Sequence, residues 1–190
     1  MIKFKLNVAV FFVVLLAACA KQPVENHRYF LPEADLIQHA GKPATRFLQI
    51  RNIQLADFLN DGGLVLQLDD ITLNQAKNHL WADNLHQQIN RALQDRLNQQ
   101  QQVFTVVGPQ TDADLQLSLV IDAFHGRHDG LALTSGQWQL HTAEGERVLL
   151  QNFHLQTELR EPGYPALVRA LGVNLDALAA SLATVLAEQS

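Results

Sequence analysis

The chain has 190 residues and a formal net charge of −5; 47% of its residues are hydrophobic and 17% are charged. This hydrophobic fraction suffices for a core, and the charged fraction is too low for a disordered protein. A mildly acidic chain is also a poor candidate for binding nucleic acid, or anionic lipid, through a basic patch. Because the chain has one cysteine, it forms no internal disulfide and packing alone must hold the fold.

The first 18 residues have the organisation of an export signal. Lys3 and Lys5 precede an unbroken apolar run over residues 8–18. This run is too short to span a bilayer as a helix, which takes about 20 residues. We therefore predict a signal peptide over residues 1–18. Its removal takes away two positive charges and leaves the mature chain at −7.

Leu16-Ala17-Ala18-Cys19 ends the leader and forms a bacterial lipobox. The Cys19 thiol would accept a diacylglyceryl group, and the small residues before it give a signal peptidase access to the bond. The new amino group is usually acylated too, for instance with palmitate, and more than one acyl chain gives stable anchoring. The alternative, a plain secretory signal, would leave an unpaired thiol to explain. Cys19 is thus the predicted lipidation site.

The residue after the lipidated cysteine bears on which membrane holds the protein. In bacteria that sort lipoproteins, Asp at this position favours retention in the inner membrane. Ala20 stands there instead, so we expect anchoring in the outer membrane with the domain facing the periplasm.

Residues 19–45 form a predicted lipidated tether and irregular lead-in, because prolines and a glycine interrupt them. The strand-like piece of this segment is residues 28–31. Nine steps from Cys19 to Arg28 reach at most about 30 Å. The domain predicted for residues 46–190 therefore stays close to its membrane.

The predicted domain begins with strands over residues 46–55, 64–68 and 71–75, followed by a helix for which Asp83 is the predicted N-cap. Apolar residues recur along this helix at helical spacing. They are Leu85, Ile89, Ala92, Leu93 and Leu97. A short β-branched strand over residues 103–107 comes next.

The second half of the chain alternates apolar and polar residues and then becomes helical. Strands over residues 115–123, 131–141 and 148–159, separated by turns, predict an antiparallel meander. The last helix carries a heptad stripe that is too short for a typical coiled coil and is expected to pack on the sheet. The stripe consists of Tyr164, Val168, Leu171, Leu175, Leu178, Leu182 and Val185. Gly172 is a candidate kink.

These elements predict a single α+β domain. We expect a mixed, largely antiparallel sheet with two long helices packed on it.

Patterns of catalytic or metal-binding residues are weak. His125 and His128 lie at a predicted turn with Asp129, and His141 and His154 could approach each other across the meander. A metal-dependent hydrolase built on these histidines is the remaining enzymatic hypothesis, but no HExxH motif is present. There is also no G-x-S-x-G elbow and no phosphate-binding GxxxxGK[ST] loop. We predict neither enzymatic activity nor a cofactor or metal site.

Trp81 has two interpretations: a core residue, as tryptophans in small domains usually are, or an exposed anchor for a protein partner. It lies in one of several pieces that, with the lipobox, resemble the ABC-type transport auxiliary lipoproteins. The pieces are Asn78-His79-Leu80-Trp81-Ala82, Gly63-Leu64-Val65-Leu66-Gln67, Phe124-His125-Gly126-Arg127-His128-Asp129-Gly130 and Ser135-Gly136-Gln137-Trp138.

The resemblance implies a non-enzymatic subunit of an envelope lipid-transport system that supports membrane integrity. In such systems, inner-membrane proteins with MCE domains carry lipids across the periplasm. The lipoprotein would sit at the outer membrane and dock or receive the far end of the MCE assembly. The resemblance also implies that Cys19 carries the lipid, and it leaves self-association into a homo-oligomer open. The alternative function is an activator of another envelope machine, such as a cell-wall synthase.

Overall fold

The computed structural model describes residues 25–34, 44–100 and 103–189. Within these ranges the chain forms eight strands, two long helices and one 3-10 turn at Asp57–Leu59. The strands are β1 His27–Tyr29, β2 Arg46–Leu55, β3 Gly63–Gln67, β4 Leu73–Trp81, β5 Phe104–Val107, β6 Leu115–Arg127, β7 Leu131–Thr142 and β8 Arg147–Glu158. The helices are α1 Leu85–Gln100 and α2 Tyr164–Glu188.

All eight strands belong to one mixed sheet organised around β6. One edge of β6 pairs with β7, and β7 pairs in turn with β8. The other edge pairs first with β2, through residues 115–121, and then with β3, through residues 126–127. Both of these pairings are parallel, so β2 and β3 run in one direction along β6, and the residues between them loop out.

The long ladders of the sheet are antiparallel. They join β6 to β7 and β7 to β8, as the alternating sequence predicts. The parallel ladders are shorter and join β1 to β4, β5 to β2, and β2 and β3 to β6. The predicted α+β fold, a mixed sheet with two packed helices, is confirmed.

The two helices bury their predicted apolar faces. In α1 the five residues at helical spacing are all buried, and in α2 the stripe from Val168 to Leu182 is buried as well. Of the helices in the described ranges, α2 is the one long and apolar enough to cross a membrane, with a mean hydropathy of 1.6. More than half of that apolar window is buried against the rest of the domain, as in a core helix of a folded domain.

A buried asparagine of α2 forms hydrogen bonds with the sheet. Asn174 accepts a hydrogen bond of 2.7 Å from the Thr157 hydroxyl, and its Nδ2 donates to Thr134 Oγ1 at 3.1 Å and the Ala132 carbonyl at 3.2 Å. These bonds satisfy a polar group that would be costly to bury unpaired. They therefore specify the position of the helix along the meander.

The helix is not split at Gly172, because α2 runs unbroken from Tyr164 to Glu188. A Cβ atom at position 172 would lie 3.0 Å from Pro32 Cγ. The N-terminal segment thus approaches the helix so closely at this position that a larger residue would require Pro32 to shift.

The structure also corrects the predicted start of α1. The helix begins at Leu85, and Gln87 N donates to the Asn84 side-chain oxygen at 3.3 Å, so Asn84 is the N-cap residue. Asp83 instead accepts a hydrogen bond from Asn84 N and forms an ion pair with Arg91, with 2.7 Å between the charged groups.

Two segments hold more strand than the sequence predicts. Strand β4 extends to Trp81, so residues 78–81 belong to the sheet and do not lead into α1. Residues 27–29, predicted to lie before the domain, form β1 and pair with the end of β4. The folded domain therefore starts well before residue 46.

Candidate functional site

Cys19 and Trp81 are the two residues for which the sequence suggests a functional role, and the structure describes only the second. Cys19 lies outside the described residues, so its lipidation stays a prediction. Trp81 is 5% exposed and packs in the core near Phe124, with 6.1 Å between ring centroids. Of the two interpretations of Trp81, this burial favours the core residue, because the buried indole offers a partner almost no surface.

The feature nearest to the predicted anchor is an N-terminal junction, which we define as residues 27–34 and the side chains that hold them. Strand β1 pairs in parallel with the end of β4, with His27 opposite His79 and Tyr29 opposite Trp81. The Tyr29 carbonyl also accepts a hydrogen bond of 2.9 Å from Ala82 N. Part of the segment predicted as tether and lead-in is thereby joined to the main sheet.

Two buried polar side chains of α1, Gln88 and Arg96, hold the rest of the junction. Gln88 Oε1 accepts a 3.0 Å hydrogen bond from Leu31 N, and its amide nitrogen donates to the Asp83 carbonyl. Both ends of this side chain are therefore used in binding backbone. Gln88 was not predicted, because it falls on the polar side of a sequence pattern that marks apolar residues only.

Arg96 is the central contact of the junction and is only 1% exposed. Its guanidinium donates to Asp176 Oδ1 at 2.6 Å, and to the Ala92 and Pro32 carbonyls at 3.1 Å each. One charged side chain thus ties α1, α2 and the N-terminal segment together. Burying a cation is costly unless it is paired and hydrogen-bonded, as Arg96 is.

A surface cleft of about 650 Å³ opens beside Arg96, between the two helices and the end of β8. Its rim carries both signs of charge, including Arg160, Arg169 and Glu161. Arg169 and Glu161 lie 3.7 Å apart, and both are largely exposed. Because the Arg96 guanidinium is already hydrogen-bonded to protein groups, we assign it a role in stabilising the fold.

Aromatic rings stack at the outer end of the junction. The His79 ring lies 4.0 Å from the Tyr164 ring and 5.1 Å from the His27 ring, and the Tyr29 hydroxyl lies 2.7 Å from His79 Nδ1. Burial, followed by the nearby His27, lowers the pKa of His79 below its ordinary value of 6.5. Burial, followed by Tyr164, raises the pKa of Tyr29. The neutral forms of both partners are therefore favoured in the folded protein.

Acidification should weaken this junction. Because the pKa of His79 is lower in the folded than in the unfolded chain, the unfolded chain binds more protons at mildly acidic pH. The stabilisation is present above about pH 6.5 and is lost as the pH falls through the folded-state pKa. We expect His79→Phe, which keeps an aromatic ring in the stack, to show a shallower loss of unfolding free energy between pH 7.5 and 5. Denaturant titrations at each pH would measure it, and parallel pH profiles would contradict this role of His79.

The residues of the Phe124–Gly130 piece serve packing and a turn. Phe124 and His125 are buried, and a Cβ at Gly126 would lie 2.9 Å from the Leu167 side chain of α2. Arg127 and Asp129 pair within the turn at 2.7 Å. The pattern thus reflects the close approach of α2 to β6 and the reversal into β7.

The histidines considered as metal ligands do not come together. His141 lies opposite Arg147, whereas His154 lies opposite Ser135, six positions away along β7. The predicted approach of these two histidines across the meander is therefore wrong. In the part of the chain that the structure describes, no three His, Cys, Asp or Glu side chains are placed to hold a metal ion.

Sequence comparison identifies the class of protein that has this domain. The family of ABC-type transport auxiliary lipoprotein components matches residues 29–183, from the end of β1 almost to the end of α2. The chain belongs to this family. It is 29% identical to the intermembrane transport lipoprotein PqiC of Escherichia coli K12 over 170 residues, which cover 88% of this chain and 90% of PqiC. PqiC of Shigella flexneri matches equally well.

Solved structures share the fold. A crystal structure of an uncharacterized protein is 28% identical to this chain, with a TM-score of 0.75, and the match covers 85% of this chain and 99% of the other. Protein XCC0632 of Xanthomonas campestris matches 85% of this chain and 95% of its own with a TM-score of 0.67. Because its identity is 13%, this second likeness concerns the fold alone.

Proposed function

We propose that this protein is the outer-membrane lipoprotein subunit of an MCE-type envelope lipid-transport system. In this role it docks or receives the periplasmic end of a PqiB-like inner-membrane MCE protein and performs no catalysis itself. The observation that carries the proposal is the relation to PqiC, an intermembrane transport lipoprotein, over nearly the whole length of both chains. The family match over residues 29–183 supports it, because it includes the described sheet except for two residues of β1, all of α1, and α2 up to residue 183.

The N-terminal junction suits such a docking subunit. Strand β1 begins eight positions after Cys19, and eight extended residues reach at most about 29 Å. Since β1 is held by β4, and Leu31 and Pro32 are held by Gln88 and Arg96, the segment after Cys19 is firmly attached to the domain. A domain held in this way stays within a short distance of its membrane, where an assembly arriving from the opposite membrane can meet it.

The edge of the sheet opposite β1 supplies a candidate docking surface. Strand β8 pairs with β7 on one side, and the described residues place no strand on its other side. Val148 and Leu150 of this strand are exposed large apolar side chains. An edge strand of 12 residues with apolar side chains can pair with a partner through its backbone and bind it through these side chains.

Crosslinking in cells tests the proposed partner. A photo-crosslinking residue at Leu150 of the full-length lipoprotein is expected to capture an MCE-domain protein. The matched control places the same residue at Val173 of α2, which is similarly exposed but lies in the opposite layer of the fold. Failure of Leu150 and of general crosslinking to recover any MCE protein would overturn the docking role. Recovery of a cell-wall synthase would support the activator function instead.

A further inference from the structure

The hairpin between β3 and β4 ends in a group of exposed apolar side chains. We define the hairpin tip as residues 68–73. Leu68 is 44% exposed, Ile71 88% and Leu73 43%. Single exposed leucines are common in soluble proteins, but three large apolar side chains at one turn mark a contact site.

The hairpin tip is held in a defined shape. Asp69 Oδ1 accepts hydrogen bonds from Ile71 N at 2.9 Å and from Thr72 N at 2.7 Å, and Leu68 N donates to the Thr72 carbonyl at 2.9 Å. The first of these bonds is also the largest cause that lowers the pKa of Asp69. The hydrogen bonds of this turn therefore hold Ile71 in its exposed position.

Apolar side chains flank the apex on both faces of the hairpin. Leu73 lies opposite Gln67 in the β3–β4 ladder, so these two share a face. Because neighbouring residues of a strand point to opposite faces, Leu68 lies on the other one. The hairpin tip is thus a wedge with Ile71 at its apex, a shape that can enter an apolar medium from one side.

The direction of β1 brings the predicted anchor to this same end of the domain. Strand β1 runs parallel to β4, with His27 opposite His79, and β4 begins at the hairpin tip. Going backwards from His27 therefore leads towards the tip. Cys19 lies eight positions before His27, and Ile71 lies eight positions before His79. Because β4 is bulged, with Gln75 opposite Val65 and Leu80 opposite Gly63, Ile71 lies closer to His79 than eight extended residues. At about 3.3 Å per extended residue, the tether is therefore long enough to bring Cys19 level with Ile71.

We propose that the hairpin tip is a second membrane contact, in which Leu68, Ile71 and Leu73 enter the interface of the phospholipid leaflet that holds the acyl chains of Cys19. This inference rests on the lipid anchor of the proposed function. The wedge alone would bind a bilayer weakly, but the anchor makes its contact intramolecular and raises its effective concentration. Asp70 remains among the headgroups, where phosphatidylethanolamine offers ammonium groups. The two contacts together fix the orientation of the domain, so that β8 is presented to the periplasm.

A probe at the apex tests the proposal in the full-length lipidated protein. Because acylation consumes the Cys19 thiol, Ile71→Cys carries a single reactive thiol, which is labelled with the fluorophore NBD. The matched control is Ala143→Cys, in the exposed turn between β7 and β8 at the other end of the meander. Both proteins are anchored in vesicles of phosphatidylethanolamine and phosphatidylglycerol. We expect a blue-shifted emission and a several-fold slower reduction by aqueous dithionite at position 71 than at position 143.

The possible failures are distinguishable. If the probe at position 71 of a vesicle-bound protein is reduced as fast as the control, the hairpin tip does not enter the bilayer and the inference is overturned. If it becomes protected only after an MCE-domain protein is added, the tip binds protein and the bilayer contact is likewise overturned. If the lipid anchor itself is absent, mass spectrometry shows no acyl chains and Cys19 takes up label. Because Ile71 is almost fully exposed, both labelled variants are expected to fold.

Discussion

Replacing Trp81 by alanine is expected to lower the free energy of unfolding by about 3–5 kcal/mol. The indole is buried next to Phe124. The backbone of Trp81 pairs with Tyr29 of β1, and Trp81 N donates a hydrogen bond of 2.8 Å to the Gly62 carbonyl. Removal of the indole leaves a cavity beside Phe124 of β6, and the surrounding side chains can fill this cavity only in part. Denaturant titration followed by circular dichroism measures the loss.

The hairpin tip provides the control for this measurement. Ile71→Ala removes apolar atoms from the surface and should change the unfolding free energy by no more than about 0.5 kcal/mol. Trp81→Phe keeps much of the buried volume and should fall between the two. A Trp81→Ala variant that melts like the original protein but no longer binds its partner would contradict the core assignment and make Trp81 an interface residue.

Replacing Cys19 by alanine should abolish membrane attachment while preserving the fold. The thiol is the only one in the chain that can accept the lipid, and the described core is built from residues between Leu31 and Leu186. The variant should accumulate uncleaved or released, incorporate no labelled palmitate, and lose function. Palmitate labelling and fractionation of the two membranes provide the measurement. Function that persists in the released form would show that the anchor is dispensable.

A second substitution tests which membrane holds the protein without removing the lipid attachment. Ala20→Asp leaves Cys19 intact, so lipidation should continue, but it places at the next position the residue that favours retention in the inner membrane. We expect the lipidated protein to shift to the inner-membrane fraction and to lose its function in lipid transport. Unchanged activity in the inner membrane would argue against a docking role that depends on the outer membrane.

Most of the fold could be predicted from local patterns. The alternation along residues 115–123 predicted the meander that β6 begins, and the spacing of Leu85, Ile89 and Leu93 predicted the buried face of α1. Both patterns arise because a strand or helix must bury one face, which imposes a period on the sequence itself. Contacts between distant parts of the chain were not predictable in this way, as at Gly172, which lies against Pro32.

The junction was less predictable than the sheet. Arg96 and Asp176 are 80 positions apart, and Tyr29 and His79 are 50 apart. Arg96 and Gln88 would ordinarily be assigned to a solvent-facing surface because of their polarity, yet both are buried. Their burial depends on backbone groups of residues 31 and 32, and no spacing within α1 indicates those partners.

The sequence by itself determined the predicted anchor at Cys19, the family, and the order of strands and helices, because covalent motifs and local periodicity are written in neighbouring residues. Only the tertiary structure decided that β1 runs parallel to β4, that Arg96 holds the N-terminal segment, and that Trp81 is buried. These features depend on strand direction and on contacts between distant segments, which are fixed only when the chain packs around one core.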